Sequence, residues 1–460
     1  MRRCDYVTLF DHSRNLTIKD MLFRSGKYFR AVFAAAMVML LMAITACEES
    51  QKPSQIVFRG NPIEGNQSGV LSLGGSPYLA VDTLKVPAGS ELIIEPGVEL
   101  RFEPGIPFEV SGKLIAEGSE AMPIIFTSGQ IYPARGDWDG IWLIDASPGT
   151  RFEYCKFLFG AKYGRRYMKR VEAGEVVDST LREYGSVTCI RSSPTISRCW
   201  FVAGGFHGLH CDSSANPLLE NSVFYDNAGH GVFAHWSADP QIRYNIIIEN
   251  DDYGLFCLEQ GQTQRSDIQL DYNIVWSNFS GEFNQLAPSR LGREIQRNGN
   301  LDSCDYRFNL RNDPVFVKAE GWDFHLTSGS AAIDAGPDDP AIRDADQTRI
   351  ELGIFPYHYR PGEIRRLITV DRLTADHSPY YMSYDVLLRE NSTLTIEPGV
   401  EILVEGRYMF RAKGRLISNG SASQPVVIRS AVATPSLGDW IGFIFETGGD
   451  EGTELTYTTI

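Results

Sequence analysis

Between residues 185 and 278 apolar and polar positions recur in units of 23 residues. Gly185, Gly208, Gly231 and Gly254 open successive units. Pro194, Pro217 and Pro240 stand nine places later, and Ile196, Leu219 and Ile242 take the eleventh place. Phe201, Phe224 and Ile247 take the sixteenth. Cys199, Ser222 and Asn245 share the fourteenth place, and Asn227 and Asn250 the nineteenth. An insertion of about five residues near Gly261 to Asp267 then breaks the register, which resumes at Leu270, Asn273, Val275 and Asn278. A period of this size marks a repeat array. Each unit holds short apolar alternations broken by Gly, Asn, Asp or Pro, and none has ten residues at helical spacing, which excludes helical solenoids. The pattern predicts a parallel β-solenoid in which equivalent residues stack about 4.8 Å apart. Places eleven and sixteen would fill the interior, and amide or small side chains at fourteen and nineteen would sit at inner corners. Glycine and asparagine would supply the positive φ that corners need.

A second, longer repeat frames the first. Ser76-Pro77-Tyr78 recurs as Ser378-Pro379-Tyr380, Glu95 to Glu99 as Glu397 to Glu401, and Gly136-Asp137-Trp138 as Gly438-Asp439-Trp440, always 302 residues on. The expected organisation is therefore a first module over 76–360, a linker over 361–377 and the start of a second module over 378–460. Thr453 to Ile460 matches Thr150 to Phe157 after a one-residue shift, so the second module is expected to continue past residue 460. The charged stretch Lys162 to Tyr184 reads as a loop between adjacent coils, with an extra coil as the alternative.

These residues resemble the right-handed parallel β-helix proteins of the pectate-lyase-like superfamily. The resemblance rests on the 23-residue units, on the opening Leu92-Ile93-Ile94-Glu95-Pro96-Gly97-Val98, and on the closing Asp313-Pro314-Val315-Phe316 with Ser330-Ala331-Ala332-Ile333-Asp334-Ala335-Gly336. It implies an all-β fold, a right-handed parallel β-helix followed by the truncated start of a second. It is unspecific for function, since that superfamily holds lyases, hydrolases, epimerases and surface proteins without known activity.

The N-terminus changes the picture of address. A basic stretch (Arg24, Lys27, Arg30) precedes the apolar run Ala31 to Ala43, which falls short of the about 20 residues a membrane span needs. Residues 1–46 read as an export signal, with the true start expected at Met21. Ile44-Thr45-Ala46-Cys47 resembles a bacterial lipobox, which implies that Cys47 carries a lipid and that 47–75 is a linker. The expected location is the cell envelope, outer membrane or periplasm, with membrane contact through the lipid alone. Removing residues 1–46 leaves 36 basic and 55 acidic residues, a net charge of about −19. Such a balance repels nucleic acid and polyanionic glycans.

Candidate chemistry is sparse. If the first and third places after each glycine point inward, His210, Asp212 and His235 point out. His207, His230 and Tyr253 mark the corner before the glycine, and Trp236 and Glu259 follow the fourth place. This histidine-rich face is the expected ligand surface, for a polysaccharide or a cell-surface partner. Repeat consensus explains the same residues without any ligand. The face lacks the aspartate cluster of a hydrolase and the basic residue of a lyase, so binding or display without catalysis is the primary expectation. A polysaccharide lyase or glycoside hydrolase acting there is the alternative. No cofactor is expected, although Asp334, Asp344 and Asp346 are candidates for Ca²⁺. The six cysteines beyond Cys47 read mostly as buried filler. Cys155 and Cys199 would be stacked neighbours, and Cys211 and Cys257 would lie two coils apart.

Overall fold

A computed structural model describes residues 60–161, 184–257, 268–284, 290–447, 449 and 451–460. The expected signal, Cys47 and Glu259 lie outside the described residues, as does the stretch 162–183. Within residues 60–284 the chain winds through three parallel sheets per turn. One turn runs through Leu218–Glu220 in the first sheet, Val223–Tyr225 in the second and Val232–Ala234 in the third. The first sheet has eight strands, from Gly69–Leu71 to Gln269–Asp271. The long strand Tyr78–Val86 joins the second sheet to the third by pairing with Glu99–Phe102 through its first half and with Pro107–Val110 through its second.

Register follows the 23-residue period. Ile196 pairs with Leu219 and Leu219 with Ile242, while Phe201 pairs with Phe224 and Phe224 with Ile247. Across the insertion the offset is 28, with Ile242 beside Leu270. Phe152 pairs directly with Ile196. Among the described residues no strand of the first sheet stands between them, and the expected loop at 162–184 falls almost wholly outside the described residues. One position departs from the expected register. Gly185 pairs with His207, one residue early, and Cys189 therefore lies beside Cys211.

The interior is a column of rings. Phe126, Phe157, Phe201 and Phe224 are fully buried, with centroids 5.3, 4.8 and 4.3 Å apart, and Ile247 and Val275 extend the file. The repeat glycines serve this column by their lack of a side chain. A Cβ on Gly208 would lie 2.5 Å from Phe224 Cδ1, and one on Gly231 would lie 2.4 Å from Ile247 Cγ2. Neither has positive φ. The left-handed corners fall instead on Arg198, Asn221, Tyr244 and Tyr272 before the second sheet, and on Ala203, Asp226, Glu249 and Ser277 after it. The expectation that glycine and asparagine supply these corners is thus corrected for the repeat glycines, while Asn221 meets it. The residue that follows each left-handed one points inward, and there the amide ladders form.

Asn227 donates from Nδ2 to Phe201 O (3.0 Å) and to Asn250 Oδ1 (2.8 Å), and Asn250 Nδ2 donates to Asn278 Oδ1 (2.8 Å). A second ladder runs Ser222, Asn245, Asn273, Asn309 and ends on Asp305. Each rung satisfies backbone groups left unpaired by the bend, which offsets the cost of about 1–2 kcal/mol for a non-glycine residue in the left-handed region.

The second sheet is covered on its outer side too. Trp200, Val202, Val223, Tyr225, Ile246 and Ile248 pack against Leu310, Phe324, Leu326, Ala332, Ile333, Leu352 and Ile354 of the closing segment. Strands buried on both faces read as continuous apolar runs. Trp200-Phe201-Val202 and Ile246-Ile247-Ile248 are such runs.

A second coil repeats the first. Tyr78 pairs with Leu100 and Tyr380 with Ile402; Leu84 pairs with Phe108 and Val386 with Phe410. Residues expected to link the modules already belong to this coil, since Leu367–Ile368 and Arg372–Leu373 pair with Val386–Leu388 and Thr393–Ile396. The N-terminal linker likewise ends early, because Asn61–Asn66 and Gly69–Leu71 are strands of the first coil. Glu454–Thr456 pairs with Arg415–Asn419, Leu455 beside Ser418, which is the one-residue shift read from sequence. All six described cysteines are buried.

Candidate functional site

The histidine face forms as a continuous stack. His207 and His230 lie parallel at 4.7 Å, and His230 lies parallel to Phe256 at 4.3 Å. Phe233 fills the space between His210 at 4.9 Å and His235 at 5.8 Å. Trp236 meets the His235 ring edge-on at 5.2 Å. The residues therefore share a face, but the four imidazoles are only 2–6% exposed. Asp212, Trp236 and Tyr253 are half-buried beside them.

The ring nitrogens at the corner are committed to the backbone. His207 Nδ1 accepts the His230 N–H at 3.0 Å, and His230 Nδ1 accepts the Tyr253 N–H at 3.2 Å. An accepting Nδ1 fixes the neutral tautomer. Burial drives His207 well below its ordinary pKa, helped by the neighbouring His230 and His210. Burial likewise takes His230 down to about 4, and Asp252, with Oδ2 3.3 Å from Nδ1, opposes this without overcoming it. These histidines carry the backbone from one turn to the next, as repeat consensus implies. An open ladder of imidazoles, as expected from strand alternation alone, is corrected: the rings point away from the core and are still buried. Asp212 accepts the Ser213 hydroxyl at 2.9 Å.

The C-terminal carboxylates separate into different roles. Asp346 Oδ1 accepts the Thr348 N–H and hydroxyl within one turn, and Asp334 Oδ2 accepts the Tyr359 hydroxyl at 2.9 Å. Asp344 faces Glu351, whose pKa is pushed up to about 10 by burial and then by the shared hydrogen bond and charge of Asp344. The raised pKa favours the protonated form of Glu351 at neutral pH. Among the described residues no three His, Cys, Asp or Glu side chains gather as metal ligands.

Sequence reasoning passed over a cleft of about 590 Å³ on the outer side of the second sheet, lined by Lys156, Trp322, Asp323, His325, Phe355 and Glu120. It forms where the strand Asp323–Leu326 crosses that sheet. Strand alternation sends Phe324 into the outer core and leaves Asp323 and His325 facing the cleft. His325 lies flat on Phe355 at 3.8 Å, with Nδ1 2.6 Å from Asp323 Oδ1. The hydrogen bond from His325 holds the Asp323 carboxyl below its usual range. Lys156 is lowered by burial, and its Nζ sits 4.8 Å from the Trp200 ring. Trp322 holds a left-handed backbone (φ 59°) and meets Phe159 edge-on at 5.5 Å. Aromatic faces beside charged hydrogen-bonding groups are the means by which proteins hold polar ligands with apolar faces. The alternation Asp323-Phe324-His325 was the available sequence signal.

Residues 139–289 match the family described as a right handed beta helix region. No curated protein and no solved structure matches the chain. The matched span covers the turns whose parallel register and ring column are described above, and on both grounds the chain is a right-handed parallel β-helix repeat protein.

Proposed function

We propose that this chain is a cell-envelope lipoprotein whose β-helix binds or displays toward a glycan, without catalysis. The observation that carries the binding is the cleft at Trp322, with aromatic rings beside the Asp323–His325 pair and Lys156. The absence of chemistry is supported by the corner histidines, whose Nδ1 atoms are committed to backbone N–H groups. Lyase or hydrolase action on that face would require rings free to exchange protons with a substrate.

The test is a panel of neutral and acidic oligosaccharides, read by calorimetry and by assay for new reducing ends or unsaturated product. Saturable binding without product is expected, weakened about tenfold or more by Trp322→Ala, as for removal of a stacking anchor. Product formation would overturn the non-catalytic reading. Undiminished binding by Trp322→Ala would remove the cleft from it. For the anchor, Cys47→Ser should move the chain from the membrane fraction to the soluble fraction; an unchanged distribution would refute lipidation there.

A further inference from the structure

At the junction of the two coils lie two adjoining cavities of about 300 and 590 Å³, which share Asn300, Arg366 and Arg389. Cationic side chains outnumber carboxylates in their walls by eight to five. This is the reverse of the chain as a whole, whose net charge is −15. A local field is set by the groups that line it, so an acidic protein can hold a cationic groove.

The arginines divide into two sets. Arg343 and Arg366 pair with Asp338 and Asp302, and Arg411 with Glu446. Arg349, Arg365, Arg389 and Arg297 have no salt bridge among the described residues. Their contacts are with neutral groups. Arg349 donates to Asn300 Oδ1, and Arg365 lies 4.7 Å from the centroid of Tyr359. Arg389 donates to Gly299 O at 2.9 Å and Arg297 to Leu301 O at 2.6 Å. Gly299 leaves the room this needs, since a Cβ there would lie 1.7 Å from Arg349 Nη1. Burial lowers the Arg349 pKa, Asp334 and Asp338 oppose this, and Arg389 and Arg343 lower it further. Guanidinium groups held together against their mutual repulsion suit oxyanions, whose paired oxygens match the guanidinium fork.

We propose that the junction groove is a binding site for a small ligand bearing two or more oxyanion groups, one held by Arg349, Arg365 and Arg389 and another by Arg389 and Arg297. Two groups follow from two connected cavities, each with an arginine not neutralised by a carboxylate. The site is separate from the cleft at Trp322 and does not depend on the glycan reading.

The test is calorimetry on the full chain at low salt, with citrate as a carrier of several carboxylates and inorganic phosphate as a single oxyanion. Citrate should bind saturably and about tenfold or more tighter than phosphate, with an affinity that falls as salt rises. Arg389→Gln should weaken citrate about tenfold or more, and Arg389→Lys should give an intermediate loss, because it keeps the charge without the fork. Arg191→Gln, which disrupts a surface pair with Asp145, should change nothing. Thermal melting of each variant separates lost binding from lost fold, and Arg365→Gln serves if Arg389 variants melt early. No saturable citrate binding, equal binding of citrate and phosphate, or full affinity in folded variants at both positions would each overturn the proposal.

Discussion

Replacing Asn250 by alanine tests how much of the coil is held by its inner amides. Asn250 is 1% exposed and sits mid-ladder. Its Oδ1 accepts the Asn227 backbone N–H at 3.3 Å and the Asn227 amide at 2.8 Å. Its Nδ2 donates to Phe224 O at 3.4 Å, Ile248 O at 3.2 Å and Asn278 Oδ1 at 2.8 Å. Alanine orphans the Asn227 N–H outright. Asn227 Nδ2 keeps Phe201 O, and Asn278 Oδ1 keeps the Asn250 N–H at 3.2 Å. One full orphan and several weakened groups, at about 1–3 kcal/mol for each unsatisfied buried group, give an expected loss of about 3–5 kcal/mol. Asn250→Asp should cost more at neutral pH than in mild acid. A carboxylate could still accept from Asn227, but it would face three acceptors with nothing to donate. The assay is urea unfolding followed by tryptophan fluorescence, with amide exchange at residues 224–250 to detect local opening, since repeat arrays need not unfold as one unit. Asn216→Ala is the control, because Asn216 is exposed and accepts a single backbone N–H. A cost for Asn250→Ala within 1 kcal/mol of that control would refute the ladder as a source of stability.

Three further outcomes follow. Phe224→Ala removes a fully buried ring stacked at 4.3 Å on Phe201 and should cost about 3–5 kcal/mol by urea midpoint; a loss under about 1 kcal/mol would deny the packed column. His230 has a folded pKa below its unfolded one, so its contribution is present above about pH 6.5 and is lost as pH falls toward about 4, a term on the order of 3 kcal/mol that a pH series of melts should lose in His230→Gln. Glu351 has the opposite sign: its folded pKa is raised, so its contribution is present in acid and drains away as pH rises from about 4.5 toward about 10. Glu351→Gln should flatten that alkaline decline in the same series, and an unchanged slope would show that burial does not hold Glu351 protonated.

The coil was legible because every turn repeats one solution to one packing problem. Ile196, Leu219 and Ile242 recur because each must fill the same slice of interior, and Asn227 and Asn250 because each must satisfy the same bend. The role of the repeat glycines was not legible. Glycine serves both positive φ and close approach, and only the position of the Phe224 ring decides for the second at Gly208. The single-residue slip at Gly185 was hidden for a similar reason: a repeat read by residue identity aligns glycine with glycine, whereas the strand pairs Gly185 with His207.

The candidate sites divide along the same line. Sequence alone determined the parallel coil, its 23-residue register, the stacked histidine face and the second copy 302 residues on, because these rest on period, and period is local and repeated. Only the tertiary structure decided which surfaces are open. The imidazoles that alternation turned away from the core proved buried, while Lys156 and His325, 169 positions apart in the chain, were brought into one cleft. Arg297 and Arg389 meet at the junction for the same reason. These neighbours come from a segment folding back over a sheet and from one coil ending where another begins. Such contacts occur once each, and a contact made once leaves no period in the chain to read.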